Sequence, residues 1–236
     1  SFASMPERPS GAEWAPAPDV VDDMIYRSDG RGYLDDGFTH LFTLPAEGGM
    51  PRQITHGDYD HSSAPVWTPD GAALLFSANR HDDAERDPLN TEVYRVDVDS
   101  REITTLTDRV GPDGDLALSP SGNRIAYTGF DDREQGYQVT RLYVMNADGR
   151  NARVVTPDFD RDVQNPTWST DGQQIVFQYD DEGTTKIGTV TLDGQREEIA
   201  AQVGGTSIGR PYTSGSFSLA DNGRFAFTHG TPQRPA

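Results

Sequence analysis

Apolar and polar positions along the chain recur with a long period. Four segments align without gaps on a glycine. They read APVWTPDG (Ala64–Gly71), DLALSPSG (Asp115–Gly122), NPTWSTDG (Asn165–Gly172) and SFSLADNG (Ser216–Gly223), with the glycines 51, 50 and 51 residues apart. In each, an apolar run enters a turn whose glycine accepts positive φ. A short alternating run then leaves it: Ala73–Phe76, Arg124–Tyr127, Gln174–Phe177 and Arg224–Phe227. The pattern predicts a hairpin at every repeat.

The first three units continue alike. A third strand is expected over Glu92–Val98, Arg141–Met145 and Lys186–Val190, and a fourth over Ile103–Thr107, Arg153–Thr156 and Glu198–Ala200, with polar turns between them. A degenerate unit precedes these, with strands expected at Met24–Tyr26, Thr39–Leu44 and Pro51–Thr55. Four strands in every ~50 residues mark a propeller blade. The fold class expected is therefore all-β, a β-propeller of four-stranded antiparallel blades of TolB or WD type. The ring is incomplete, at about four and a half blades: 19–57, 58–108, 109–157, 158–203 and a truncated 204–236, after a tail, scar and lead-in over 1–18. Ending mid-blade would leave strand edges unpaired, so the chain reads as a fragment or as one that another chain completes. Trp67 and Trp168 share a repeat position with Leu118 and Leu219, which predicts blade-to-blade packing for both tryptophans.

Charge narrows the partners. Twenty basic residues face 38 acidic ones, for a net charge of −18 over 236 residues. Such a chain repels nucleic-acid phosphate and anionic lipid, so neither nucleic acid nor membrane is an expected partner. Lys186 is the only lysine. The absence of cysteine excludes disulfides, a thiolate zinc site and a thiol nucleophile. The first residues show no basic region followed by an apolar run, so no signal peptide and a cytoplasmic location are expected.

The repeat WTPDGAALLFSANR (Trp67–Arg80) resembles the propeller repeats of the prolyl oligopeptidase family of serine peptidases, in its acylaminoacyl-peptidase and dipeptidyl-aminopeptidase branch. IYRSDGRGYL (Ile25–Leu34), GGMPRQIT (Gly48–Thr55), LALSPSGNRIAYTGFDD (Leu116–Asp132) and GGTSIGRPYTSGSFS (Gly204–Ser218) are similar to that branch too. The resemblance implies an N-terminal propeller over a C-terminal α/β-hydrolase domain with a Ser-Asp-His triad, which this chain lacks. It also implies short peptides as substrates of the whole protein.

Chemistry within the chain reads as sparse. The G-x-S-x-G match at Gly205–Gly209 is followed by Arg210-Pro211-Tyr212, which cannot run the helix that a nucleophile elbow needs, so no catalytic residue is expected. None of the five histidines pairs at i, i+4, and the His56–His61 stretch reads as a solvated loop, so no metal is expected. Asp158–Asp162 fails the calcium-loop template at its sixth and twelfth positions, Val163 and Ser169. Asp82-Asp83, Asp131-Asp132 and Asp180-Asp181 each follow a second strand and could form an acidic rim. No phosphate cradle is present, and no cofactor is expected.

Three functions fit these features. The first is a non-catalytic propeller that gates peptides for a serine peptidase, with Arg210 and Tyr212 as substrate-binding candidates and self-association possible. The second is a TolB-like protein-binding module without enzyme activity. The third is an enzyme working from the propeller channel. It needs paired inward carboxylates, and the inner strands offer Asp115 among residues such as Val66, Thr167 and Phe217.

Overall fold

The structure, a computed structural model, describes residues 10–11, 20–34, 37–205 and 215–230. The chain divides into two units, 1–36 and 37–236. In the first, β1 (Arg27–Ser28) pairs antiparallel with β2 (Gly32–Tyr33). Gly30 and Gly32 both sit at positive φ and let the chain reverse at once. That tight turn places the strand at 27–28, not at the expected 24–26.

The second unit opens with a two-stranded sheet I, β3 (Phe42–Thr43) and β4 (Arg52–Gln53). Three four-stranded antiparallel meanders follow. Sheet II contains β5 (Val66–Trp67), β6 (Ala73–Ala78), β7 (Glu92–Asp97) and β8 (Ile103–Thr105). Sheet III contains β9 (Asp113–Leu118), β10 (Arg124–Gly129), β11 (Arg141–Asn146) and β12 (Arg153–Val154). Sheet IV contains β13 (Gln164–Trp168), β14 (Gln174–Asp181), β15 (Thr184–Thr191) and β16 (Arg196–Val203). Sheet V is the hairpin of β17 (Phe217–Leu219) and β18 (Phe225–Phe227). Among the described residues there is no helix. The expected all-β class and four-strand repeat are what the chain forms.

The core lies between sheets. Successive side chains of a strand point to opposite faces. Leu74, Phe76 and Ala78 of β6 therefore pack with Leu41 and Ile54 of the sheet I side, while Leu75 packs with Ile125 and Tyr127 of sheet III. In the same way, Ile175, Phe177 and Tyr179 of β14 meet Ala126 and Leu142, while Val176 meets Val203 and Phe217. A strand buried on both faces loses the polar-out alternation of a surface strand, and every residue of β6 is buried. Cross-strand aromatic pairs repeat as well: Phe76 stacks on Tyr94 (centroids 5.5 Å apart) and Tyr127 on Tyr143 (5.1 Å). In sheet IV the partner of Phe177 is Gly188, where a Cβ would stand 3.2 Å from the Phe177 ring.

The two tryptophans differ. Trp168 is buried, and its indole N–H donates to the Ala117 carbonyl on β9 at 3.0 Å. Trp67 is 50 % exposed. Trp168 leans on an innermost strand of the preceding sheet, whereas sheet I supplies only β3 and β4, so packing of Trp67 is not what forms.

Candidate functional site

In a four-stranded meander the end of the second strand, the start of the third, the end of the fourth and the link to the next sheet share one end. Three seams at that end are built on one frame. A threonine just past the fourth strand accepts the backbone N–H that opens the third: Thr55 from Leu41 (2.9 Å), Thr107 from Val93 (2.9 Å) and Thr156 from Leu142 (3.0 Å). All three threonines are buried. The chain then crosses to the next sheet, where the N–H of His61, Asp113 or Val163 donates to the carbonyl of Thr39, Thr91 or Thr140. The side chains in equivalent slots differ, and so does the chemistry of each seam.

The seam between sheets II and III is the most heavily charged. Asp113 is fully buried and takes a hydrogen bond from the Arg109 guanidinium, which also reaches Asp131 at 3.3 Å and the Pro112 carbonyl at 3.0 Å. Arg109 lies over the Tyr143 ring, 4.6 Å from its centre. The Ser77 and Thr91 hydroxyls both donate to the Asp113 carbonyl. Glu92 is also buried and accepts from the Thr107 hydroxyl, while its Oε1 stands 3.9 Å from His81 Nε2. Burial pushes the Glu92 carboxyl up to about 7, and the nearby Asp113 adds to this against the Thr107 hydrogen bond. Burial raises Asp113 too, opposed by Arg109. Three polar atoms here are buried without a hydrogen-bond partner: His81 Nε2, Arg109 Nε and Asp113 Oδ2.

The seam between sheets I and II has the opposite sign. His61 is buried, its Nδ1 faces the Thr39 carbonyl at 3.2 Å, and Arg80 Nη1 approaches its Nε2 at 2.6 Å. An arginine can only donate, so that Nε2 carries no proton. Burial, helped by the charges of Arg80 and His40 and opposed by the hydrogen bond to the Thr39 carbonyl, holds His61 down at about 4. The seam between sheets III and IV is more exposed. Asp181 accepts from Arg161 Nε (2.8 Å) and Lys186 (2.9 Å), and Lys186 also reaches Glu198 (3.2 Å).

Against the sequence readings, several placements are corrections. His61 is part of a buried seam, not a solvated loop. Asp131 and Asp181 are held in ion pairs, so the rim is not a row of free carboxylates. Asp115, expected to point inward, is exposed, and the buried acid is Asp113. A bulge explains this: Asp115 and Asn165 hold equivalent positions at φ 46° and 51°, and each register slips beside them, resetting which residues face in. Asp162, in the failed calcium template, accepts from the Thr140 N–H and the Tyr137 hydroxyl. Among the described residues no group of three or more His, Asp or Glu side chains is placed to hold a metal ion. Arg210, Tyr212 and the G-x-S-x-G match lie outside the described residues.

Glu92 and Asp113 escaped sequence reading because a buried acid is spelled like a solvated one. The usable signal was spacing: Asp113 stands six positions after Thr107, as His61 does after Thr55.

Comparison with known proteins places this frame. The chain is 33 % identical over 132 residues to the Tol-Pal system protein TolB of Anaeromyxobacter dehalogenans, covering 56 % of this chain and 27 % of that one. Its fold is similar to puromycin hydrolase (TM-score 0.61, 18 % identity, 86 % of this chain and 35 % of that one). It is similar also to an acylaminoacyl peptidase bound to a peptidyl chloromethyl ketone (TM-score 0.58, 16 % identity, 80 % and 28 %). The chain spans about half or less of the length of the curated relatives it matches. The family model described as "TolB beta propeller domain" matches residues 41–226, from the start of sheet I into β18, and the chain belongs to that family.

Proposed function

We propose that this chain is the substrate-gating propeller of a serine peptidase acting on short peptides, with selection as its role and bond cleavage left to an α/β-hydrolase domain. One observation carries this reading. The seam between sheets II and III shuts the carboxyls of Asp113 and Glu92 away from solvent, while the loops at the same end, 79–91 and 130–140, are exposed or half-buried. That arrangement suits a surface that presents and excludes better than one that reacts. The resemblance of Trp67–Arg80 and Gly204–Ser218 to peptidase propellers supports it. The fold shared with the acylaminoacyl peptidase and puromycin hydrolase is compatible with it. The test is kinetic. In the full-length protein Arg210→Ala should raise KM for short acidic peptides; an unchanged KM removes Arg210 from the gate. Full-length protein without amidase activity would end the peptidase reading itself.

A second reading, a TolB-like module that recruits a protein, is favoured by the 33 % identity to TolB. It gains if the parent protein has no hydrolase domain.

A further inference from the structure

The turn of sheet V differs chemically from its three counterparts. The chain has seven asparagines, and Asn222 alone is followed by glycine. Asn222 and Gly223 lie in the exposed turn that joins β17 to β18. In the other repeats the slot before the glycine holds Asp70, Ser121 or Asp171. Asp70 is fixed by the Thr68 hydroxyl at 2.6 Å and the Ala72 N–H at 3.0 Å. Asp171 is fixed in the same way by the Ser169 hydroxyl at 2.6 Å and the Gln173 N–H at 3.0 Å. In the fourth repeat the place of Thr68 and Ser169 is taken by Ala220, which has no hydroxyl to give. Asn222 keeps the second of these bonds, from the Arg224 N–H to its Oδ1 at 3.1 Å.

That difference opens a reaction within the chain. The Thr68 and Ser169 hydroxyls hold the Asp70 and Asp171 carboxyls below the usual carboxylate range, and an ionised carboxylate is a poor electrophile. A side-chain amide is a better one, and the Asn222 Cγ can close a five-membered ring with the Gly223 nitrogen. Gly223 has no Cβ to shield that nitrogen, and a Cβ built there meets no atom within 4 Å. The Arg224 N–H already points at the amide oxygen on which negative charge gathers during attack. The restraint is the turn itself, because the Gly223 N–H donates to the Ala220 carbonyl at 2.9 Å and has to let go first. Release is easier here than elsewhere. β17 and β18 have three residues each and form a two-stranded sheet, whereas the other three turns lie in four-stranded sheets.

We infer that Asn222-Gly223 is a site of spontaneous covalent modification, where the side-chain amide is lost by deamidation as the β17–β18 turn opens. The Gly223 nitrogen gives its proton to solvent base and bonds to the Asn222 Cγ. The Cγ–Nδ2 bond breaks, and Nδ2 leaves as ammonia with a proton from water. Water then opens the cyclic imide. Cleavage of the Cγ–N bond leaves an aspartate, and cleavage at the main-chain carbonyl carbon leaves an isoaspartate. Overall one water is consumed and one ammonia is released. The aspartate suits the slot, since Asp70 and Asp171 fill it elsewhere. The isoaspartate adds a main-chain carbon to a tight turn and takes Phe217 and Leu219 out of register with Phe227 and Phe225. The site thereby limits the lifetime of sheet V, whose Phe217 packs with Val176 and Val203 of sheet IV. The inference is independent of the peptidase reading.

Peptide mapping by mass spectrometry tests it on the full chain, incubated folded and in urea at about pH 8.5 and ~37 °C. In the folded chain Asn222 should gain the mass of NH2 replaced by OH while the other six asparagines stay intact. Folding should slow this conversion by less than about a hundredfold relative to urea. The same peptide of Asn222→Gln, which would need a six-membered ring, should keep its mass. Equal conversion at the other asparagines overturns the proposal, and so does a larger slowing by folding or an unchanged mass gain in Asn222→Gln. Hydrogen exchange reads the consequence. The Ala220 and Thr228 amides, which donate to the Arg224 and Ser216 carbonyls, should lose about tenfold in protection in the isoaspartate fraction and keep it in Asn222→Asp. Full protection in the isoaspartate fraction refutes the limit on sheet V.

Discussion

At the scale of single residues, the fold repeats a small device, and its removal has a definite consequence. Thr156 is completely buried and its hydroxyl oxygen takes the Leu142 N–H. Thr156→Val keeps the shape and leaves that amide without a partner, so a loss of about 1–3 kcal/mol in urea unfolding is expected. The two perturbed side chains give stability opposite slopes with pH. His61 is depressed from 6.5 to about 4 when folded, so the unfolded chain binds more protons between those values. Its contribution is complete above about 6.5 and is lost as pH falls through 4. Glu92 is raised from 4.5 to about 7, so its contribution is complete below about 4.5 and is lost as pH rises through 7. The two windows overlap, so between about pH 4.5 and 6.5 the slopes oppose each other in the urea midpoint. Glu92→Gln should leave a midpoint that rises from about pH 4 to 6.5, and His61→Gln one that falls from about pH 4.5 to 7. The device was written in the sequence, since Thr55, Thr107 and Thr156 each end a predicted fourth strand. What fills each slot was not, because burial of a charge depends on which chain segment crosses above it.

At the scale of elements, what the repeat spells and what the sheet does part company at Trp67 and Trp168. Their sequence settings are nearly identical, APVWTPDG and NPTWSTDG. Only Trp168 has an innermost neighbour strand to lean on, β9, and so only it is buried. Trp168→Ala should lower stability by about 3–5 kcal/mol, and Trp67→Ala by less than about 1 kcal/mol, in the same denaturant titration. Equal losses would mean that Trp67 is covered in solution. The hairpin glycines were legible for a backbone reason. Gly122 sits at φ 71°, and a Cβ there would meet the Pro69 ring at 2.8 Å. The contact with Pro69, which comes from the preceding sheet, is a fact of packing that no local pattern spells.

At the scale of the whole molecule, the 50-residue period was readable because each sheet needs the same turn, the same alternating second strand and the same closing strand. The first unit was less readable because its pattern is weak, and its strands divide between the two units of the chain. The net charge of −18 acts on everything at once. Self-repulsion among surface acids favours expansion, and salt screens it, so the thermal midpoint should rise from 0.05 M to ~0.5 M NaCl. A flat or falling midpoint would mean that ion pairs such as Lys186 with Asp181 outweigh the repulsion. The contrast between the two tryptophans also makes the molecule its own optical gauge. With the third tryptophan of the chain, Trp14, replaced by Phe, emission from Trp168 should be blue and shielded from iodide, and that from Trp67 red and quenchable. Parting of sheets III and IV can then be followed by light alone, with no label attached.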